Sequence, residues 1–287
     1  MSVPTLPRAT IQAMVRRGLE EDVGHGDVTS EACVPAAAMG AASLVARVPM
    51  VLCGLPVLRE VFAQVDARVR VDELVQEGKL SAGGGEVLAR LQGPLRSILT
   101  GERLALNFLQ RMSGIATRTS EFVRLLGDRP TRLVDTRKTT PGIRAFERYA
   151  VRVGGGRNHR YNLTDGILIK DNHIAAAGGV KEAVTAALRN AHHLLQVEVE
   201  VETVAEAHEA IDAGARVIML DNFSIEGLRA AVQELRKRPE SIVIEASGNV
   251  SEHTLVPIAD CGVDVISSGG LIHQAVWLDI ALEFDRA

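Results

Sequence analysis

From about residue 130 onward the chain repeats one pattern: a short β-branched apolar run, a polar residue closing it, then a helical stretch. The runs are RLVDT (132–136), GILIK (166–170), QVEVEVE (196–202), RVIMLD (216–221), SIVIEAS (241–247) and GVDVISS (262–268). Thr203, Ser224 and Ser251 stand as N-caps ahead of three of the helical stretches. Two pieces, EAIDAGARVIMLDN and PIADCGVDVISSGG, resemble each other, each with a helix end, a glycine and a strand closing in polar residues. A helix between two strands returns the chain so that the strands pair in parallel. Six or seven such units in succession predict an α/β barrel, with an open doubly wound sheet as the alternative.

The first 112 residues read differently. AASLVARVPMVLCG, ARVRVD and EVLARLQG have strand character, LPVLREVFAQV is a helix between them, and PLRSILTGERLALNFLQRMSG carries apolar residues at helical spacing with Pro94 suited to its first turn. This is an α+β domain over residues 1–112, handing over near Ser113 and Gly114 to a barrel domain over 113–272. The strand-like tail, in residues 273–287, is expected to rejoin the first domain. A chain of 287 residues is long for one core, which favours two domains.

Charge is unevenly placed. Residues 137–170 hold eight Lys or Arg against Glu147 and Asp165, a local excess of +6 in a chain whose net charge is −4. That is an anion site and not a general nucleic-acid surface, and aromatic residues at 3% leave few platforms on which bases could stack. No apolar run is long enough to cross a bilayer, and the opening MSVPTLPRAT has no apolar signal core, so a cytoplasmic protein without membrane contact is expected. Cys33, Cys53 and Cys261 have no CxxC spacing and read as buried free thiols.

In a βα barrel the chemistry sits where the strands end. Those ends are Thr136, Arg137 and Lys138; Lys170, Asp171 and Asn172; Glu200 and Glu202; Asp221 and Asn222; Ser247, Gly248 and Asn249; and Ser268, Gly269 and Gly270. Cations, carboxylates and small turns on one rim suit a phosphorylated, multiply anionic substrate with a bound metal. Alternation in VEVEVE puts Val197, Val199 and Val201 on one face and Glu198, Glu200 and Glu202 on the other. With the valines toward the helices, the glutamates face inward, where each needs a partner: Lys138, Lys170 or Mg²⁺. A solvated edge face or a structural ion pair is the alternative, weightier for Glu198. Glu200 and Asp221 are placed to share a hydrated Mg²⁺, which takes one or two carboxylates and completes its shell with water and substrate oxygens. In DTRKTTPG (135–142), Thr140 as N-cap and Pro141 as first helical residue would add free amides beside Arg137 and Lys138. The turns SGN and SSGG let backbone approach a phosphate. His159 lies between two candidate ligands, while His173 is equally suited to capping the next segment.

Taken in order, EDVGHGDVTS, GERLALNFLQRMSGIAT, DTRKTTPGIRAFERYAV, GGGRNHR, LIKDNHI, VEVEVET, IMLDN, IEASGNV and GVDVISSGG make nearly the whole chain resemble the quinolinate phosphoribosyltransferase family, the decarboxylating enzymes of NAD biosynthesis. The resemblance implies an α/β fold with an N-terminal α/β sandwich domain and an open seven-stranded α/β barrel. It also implies a homodimer in which the N-terminal domain of one subunit closes the barrel site of the other. The implied activity joins quinolinate to phosphoribosyl pyrophosphate with decarboxylation, giving nicotinate mononucleotide, pyrophosphate and CO₂, with Mg²⁺ and no organic cofactor. By resemblance, Arg137, Arg160 and Lys170 hold the quinolinate carboxylates beside Thr136, His159 lines the pocket, and Arg103 reaches in from the partner subunit. Lys138 serves both substrates, and Glu200 and Asp221 hold ribose hydroxyls and Mg²⁺. Ser247, Gly248 and Asn249, with Ser268, Gly269 and Gly270, cradle phosphate. Lys138, Lys170, Glu200 and Asp221 are the implied catalytic set. A nicotinate-specific transferase would need fewer cations, the molybdate-associated relatives lack the full IKDNH stretch, and a non-catalytic anion-binding module would gain nothing from Glu200 and Asp221.

Overall fold

Of the first two helices, the first has no side-chain cap, whereas a short polar side chain sets the start of the second. In the computed structural model, which describes residues 5–284, α1 (Arg8–Asp22) is followed by α2 (Val28–Cys33). Residues 1–4 and 285–287, which the domain limits drawn from sequence include, lie outside the described residues. Asp27 caps α2: its carboxylate accepts Ser30 N at 3.0 Å and the Thr100 hydroxyl at 3.1 Å. These bonds, the Ser30 hydroxyl first, hold the Asp27 carboxyl below its usual range. EDVGHGDVTS is thus a turn and a cap. Strands β1 (Met39–Ala46) and β2 (Met50–Val51), helix α3 (Leu55–Val65), strands β3 (Arg70–Glu73), β4 (Leu80–Ser81) and β5 (Glu86–Pro94), and helix α4 (Leu95–Leu126) follow.

Helix α4 passes unbroken through Ser113 and Gly114, where the sequence suggested a hand-over. Ser113 is fully buried and its hydroxyl receives Cys53 N at 3.0 Å. Gly114 is a contact point: a Cβ there would sit 1.9 Å from the Val276 carbonyl oxygen. The glycine admits a neighbouring backbone and does not end the helix.

By contact density the chain forms two units. The first comprises residues through Ser120, Thr139–Gly155 and the chain from Leu271; the second comprises Glu121–Lys138 and Gly156–Gly270. The second unit holds β6 (Arg132–Val134) and, after α5 (Arg144–Val153) of the first unit, β7 (Ile167–Ile169), α6 (Asp171–Ala177), α7 (Val180–Asn190), β8 (Val197–Val201), α8 (Val204–Asp212), β9 (Val217–Asp221), α9 (Ile225–Leu235), β10 (Val243–Ser247), α10 (Leu255–Ala259) and β11 (Val265–Ser267). Its six strands form one parallel sheet in the order β6-β11-β10-β9-β8-β7. On the free side of β6, Arg157 adds a single parallel bridge to Val134, so the seventh barrel position is a one-residue bridge and not a strand.

The outward residues of these strands are the apolar ones: Val197, Val199, Val201, Ile218, Leu220, Ile244, Ala246 and Ile266 are buried, as are Ala207, Ala210, Leu228 and Val232 of α8 and α9. Each large side chain so buried contributes roughly 1.5–3 kcal/mol. Thr203 caps α8 in a reciprocal box with Glu206, and Ser224 caps α9 through Gly227 N. Two expected helix starts are displaced. The helix after Ser251 begins at Leu255 with Thr254 at its cap, and Ser251 serves by accepting Thr254 N. The helix expected at Pro141 begins at Arg144, because both Thr140 N and the Thr140 hydroxyl are taken by the fully buried Glu147 carboxylate. No helix N-terminus therefore follows directly on Lys138. Cys53 and Cys261 are buried, but Cys33, the last residue of α2, is exposed.

After the short helix α11 (Gly270–His273), strand β12 (Ile280–Phe284) pairs antiparallel with β1, Ala42 opposite Phe284 and Ala46 opposite Ile280. The first unit's main sheet runs β12-β1-β5-β3. Arg111 of α4 holds the returning chain: its guanidinium bonds the carbonyls of Ile272 and Ala275 at 3.0 and 2.9 Å and the Glu147 carboxylate at 2.7 Å.

Candidate active site

The register of the parallel sheet decides which side chains meet inside it. Glu198 pairs with Val217 and Val217 with Val243; two residues on, Glu200 pairs with Met219 and Met219 with Glu245; two further, Asp221 pairs with Ser247. Period-two alternation then points this whole set inward. At the strand ends it opens into a cleft of about 570 Å³ lined by Thr136, Arg137, Lys138, His159, Arg160, Leu168, Lys170, Glu200, Met219, Asp221, Asn222, Ser247, Gly248, Asn249 and Ser267.

Most of the residues singled out in the sequence thus stand around one space within the second unit. Others do not. Ser268 is buried with its N–H on the Val134 carbonyl, and Ser268, Gly269 and Gly270 are outside the lining, where Ser267 stands instead. Glu202 is exposed, and its N–H bonds the Glu206 carboxylate at the start of α8. Arg103 is exposed on α4 in the other unit. His173 accepts Lys170 N at 3.0 Å through Nδ1, a cap on α6. Leu168, Met219 and Ser267 belong to the cleft without having been assigned to it, and their inward parity in the strands is the signal that finds them; Asn222, named only as a strand end, joins them from the turn after β9.

The cations are held in place. Lys170 Nζ is ion-paired with Glu200, whose side chain is 15% exposed against 43% for Lys170. The Arg160 guanidinium donates to the Gly166 carbonyl at 2.8 Å. Burial, and then repulsion from Arg137, pull the Arg160 guanidinium below its ordinary range, while the Glu198 charge opposes them. Two guanidiniums close enough to repel gain from an anion placed between them.

The carboxylate end is equally constrained. Asn222 donates Nδ2 to Asp221 Oδ2 at 2.6 Å, and its N–H bonds the Ser247 carbonyl at 3.0 Å. Asn222 and Asn249 both adopt the left-handed region, at φ 56° and 51°, which asparagine tolerates better than most residues. Between them Gly248 has φ 91°, and a Cβ there would lie 2.1 Å from Asn222 Oδ1. The turn after β10 is thus shaped against the side chain that orients Asp221.

In the wall of the cleft lies an arrangement that sequence reasoning missed. Glu198 and Glu245, 7% and 3% exposed, face His159, with Nε2 at 3.1 Å from Glu198 Oε2 and 3.6 Å from Glu245 Oε1. The segment carrying the imidazole is fixed by the buried Asp135, which accepts His159 N at 2.9 Å and Asn158 Nδ2 at 2.6 Å. Burial, and then the Glu198 charge, push the Glu245 carboxyl up to about 7. Burial lowers the His159 imidazole, but the two glutamates outweigh it and the net direction is upward.

These features define a class: an α/β barrel whose strand-end rim is a cleft lined by cations with two carboxylates set among them. Residues 27–113 match the family model described as quinolinate phosphoribosyl transferase, N-terminal domain, and residues 115–283 match its C-terminal domain. The chain belongs to the quinolinate phosphoribosyl transferase family. It is 41% identical over 280 residues, covering 98% of this chain and 94% of the relative, to a probable nicotinate-nucleotide pyrophosphorylase [carboxylating] of Synechocystis. It is 36% identical to a quinolinate phosphoribosyltransferase [decarboxylating] of Nicotiana tabacum, covering 98% of this chain and 84% of that one. Among solved structures, the nicotinate-nucleotide pyrophosphorylase of Francisella tularensis superposes with a TM-score of 0.91 at 38% identity, covering 99% of both chains. The human nicotinic acid phosphoribosyltransferase, at 17% identity and a TM-score of 0.62 over 96% of this chain and 73% of its own, shares the fold. No helix among the described residues is long and apolar enough to cross a membrane.

Proposed function

We propose that the protein transfers the phosphoribosyl group of phosphoribosyl pyrophosphate to the ring nitrogen of quinolinate, releasing pyrophosphate and CO₂ and giving nicotinate mononucleotide. One observation carries this reading: Arg137, Lys138, Arg160 and Lys170, from three separate segments, share a single cleft with Glu200 and Asp221. Both reactants are anions, so contact between them needs positive charge from several directions. Carboxylates in the same cleft would weaken simple anion capture and make sense beside a centre that becomes positive.

Arg137 and Arg160 hold the quinolinate carboxylates, for which the planar guanidinium fork is suited. Lys170 leaves Glu200 to complete that contact, and Leu168 and Met219 provide an apolar face for the ring. Lys138 faces the phosphate side, and the backbone of Ser247, Gly248 and Asn249 receives phosphate oxygens. The C1–O bond then breaks, its electron pair leaving with pyrophosphate, and the pyridine nitrogen lone pair forms the new bond to C1. Glu200 and Asp221, beside the ribose, stabilise the oxocarbenium-like carbon through preorganised negative charge. Alignment of the two reactants supplies the rest of the rate, and no covalent enzyme intermediate is needed. The ring nitrogen, now cationic, stabilises the electron pair left at C2 when CO₂ departs, and C2 takes up a proton.

Glu200 and Asp221 also fit a Mg²⁺ ion. They are hard oxygen donors on neighbouring strands, and Asp221 is oriented by Asn222. When bound, Mg²⁺ supplies charge compensation for the pyrophosphate oxygens. Arg103, exposed on α4, completes the quinolinate pocket of a second copy in a homodimer, which accounts for its absence from the lining of the cleft in its own chain.

The test is an assay of purified protein with phosphoribosyl pyrophosphate and either quinolinate or nicotinate, with Mg²⁺ or with a chelator. Quinolinate-dependent release of CO₂ and pyrophosphate that needs Mg²⁺ is expected. Turnover of nicotinate instead, or none with either acid, sinks the reading.

A further inference from the structure

Two buried acids beside an anion site are a liability unless they do something for it. Glu198 and Glu245 sit buried on the inner faces of β8 and β10, level with Leu168 and with Met219, and both reach the Nε2 edge of His159. The other ring nitrogen settles the role of that edge. Arg160 N donates to His159 Nδ1 at 2.7 Å, so Nδ1 presents a lone pair. In the neutral ring the proton is then on Nε2, directed at the two glutamates. The two glutamates favour a second proton on the ring, but a doubly protonated ring would have to give up the Arg160 bond, and that bond holds it neutral.

That assignment also decides between two uses of the cluster. One ligand atom from each of His159, Glu198 and Glu245 lies within 4.8 Å of the others, close enough to suggest a metal. A ring nitrogen that carries a proton has no lone pair for an ion, which excludes it as a ligand. Glu198 Oε1 and Glu245 Oε1 are buried and make no hydrogen bond of normal length among the described residues, with the Ser267 hydroxyl and the His159 ring edge as the donors facing Glu245. A proton kept by Glu245 gives the pair its missing donor and leaves Glu198 as the acceptor for both neighbours.

We propose that Glu198 and Glu245 are positioning residues that act through His159, locking its imidazole in the Nε2–H tautomer and so fixing the cleft wall, with Arg160, against which the pyridine dicarboxylate lies. This rests on the substrate reading above. Turning the ring by half a revolution would put carbon where each nitrogen now bonds, losing both contacts. The lock extends to Arg160, whose backbone amide is tied to Nδ1 and whose guanidinium reaches Gly166. Loosening the buried pair therefore loosens the side of the cleft assigned to quinolinate and leaves the β9 and β10 turns assigned to phosphoribosyl pyrophosphate untouched.

The experiment pairs ¹⁵N NMR of labelled histidine, which distinguishes ring tautomers, with steady-state kinetics. Glu198→Gln presents an amide donor where two donors already point. It is expected to mix the His159 tautomers and raise KM for quinolinate roughly tenfold, with KM for phosphoribosyl pyrophosphate within about twofold. Glu245→Gln keeps a donor and is expected to retain the wild-type ring signals and quinolinate KM, whereas Glu245→Leu shifts both. Should Glu198→Gln not fold, Glu198→Asp, which shortens the reach to Nε2, carries the same prediction. A wild-type ring protonated on Nδ1 or on both nitrogens at neutral pH overturns the proposal. So does an active Glu198→Gln enzyme with unchanged quinolinate KM, or stoichiometric metal in the wild-type protein that is lost in Glu198→Gln. Wild-type protein that never turns over quinolinate removes the substrate reading alone, since the tautomer measurement stands without it.

Discussion

Glu245 is a carboxylic acid in the middle of an apolar strand, and burial pushes it up to about 7 from the ordinary glutamate value of 4.5. A group whose folded-state value is raised holds its proton in the native state after the unfolded chain has lost it. Stability falls with rising pH across that interval. The contribution is complete below about 4.5 and gone above about 7. Glu245→Gln should therefore flatten the pH dependence: the wild type gains on the order of 2 kcal/mol relative to the variant on going from pH 7.5 to pH 5. Denaturant melts at the two values measure it, and parallel curves would remove the buried pair from the account. The same residue shows where reading the sequence stopped. Glu200 and Asp221 were legible because they close their strands. Glu198 stood out by alternation, but its partner is His159, brought in by a loop that no periodicity describes. Glu245 could have been found by asking why SIVIEAS carries a charge at an inward position.

At the scale of elements, the strands of the parallel sheet were legible to within about three residues because β-branched runs closed by polar residues admit few other readings, whereas the short β4 went unread and the tail strand begins only at Ile280. The start of α5 was not. DTRKTTPG has the local chemistry of a helix start, but Thr140 is claimed by Glu147, a tertiary contact invisible in a linear motif. Glu147 is fully buried and also receives two guanidinium bonds from Arg111. Glu147→Ala leaves that guanidinium, 12% exposed, without its counter-charge. The expected cost is roughly 3–5 kcal/mol in thermal or denaturant unfolding, whereas a surface pair such as Arg129–Asp260 should cost less than about 1 kcal/mol. Equal costs would show that the Arg111–Glu147 pair organises nothing. Helix α4 teaches the complementary lesson: Gly114 looked like a boundary and is instead a place where another backbone passes close by.

For the whole molecule, the proposed homodimer makes a stringent prediction. If Arg103 serves a second copy, Arg103→Ala and Lys138→Ala should each be inactive alone. Mixed after dissociation and reassociation, they should regain about a quarter of wild-type activity, since random pairing makes half the dimers hybrid and each hybrid has one intact site. Sedimentation of the mixture checks that hybrids form, and hybrids with no activity would place Arg103 outside the site. Strand β12 carries a different consequence. The first unit's main sheet has β1 near the beginning of the chain and takes β12 as its outer strand near the end. On the ribosome the β1 edge of that sheet stays open until all of the barrel strands have been made. A chain stopped before Ile280 should accumulate as aggregate during synthesis, and a separately supplied peptide of residues 275–284 should partly restore soluble protein. Pairing of β12 is then a check on synthesis: a ribosome that falls off before it leaves a product that advertises itself to quality control.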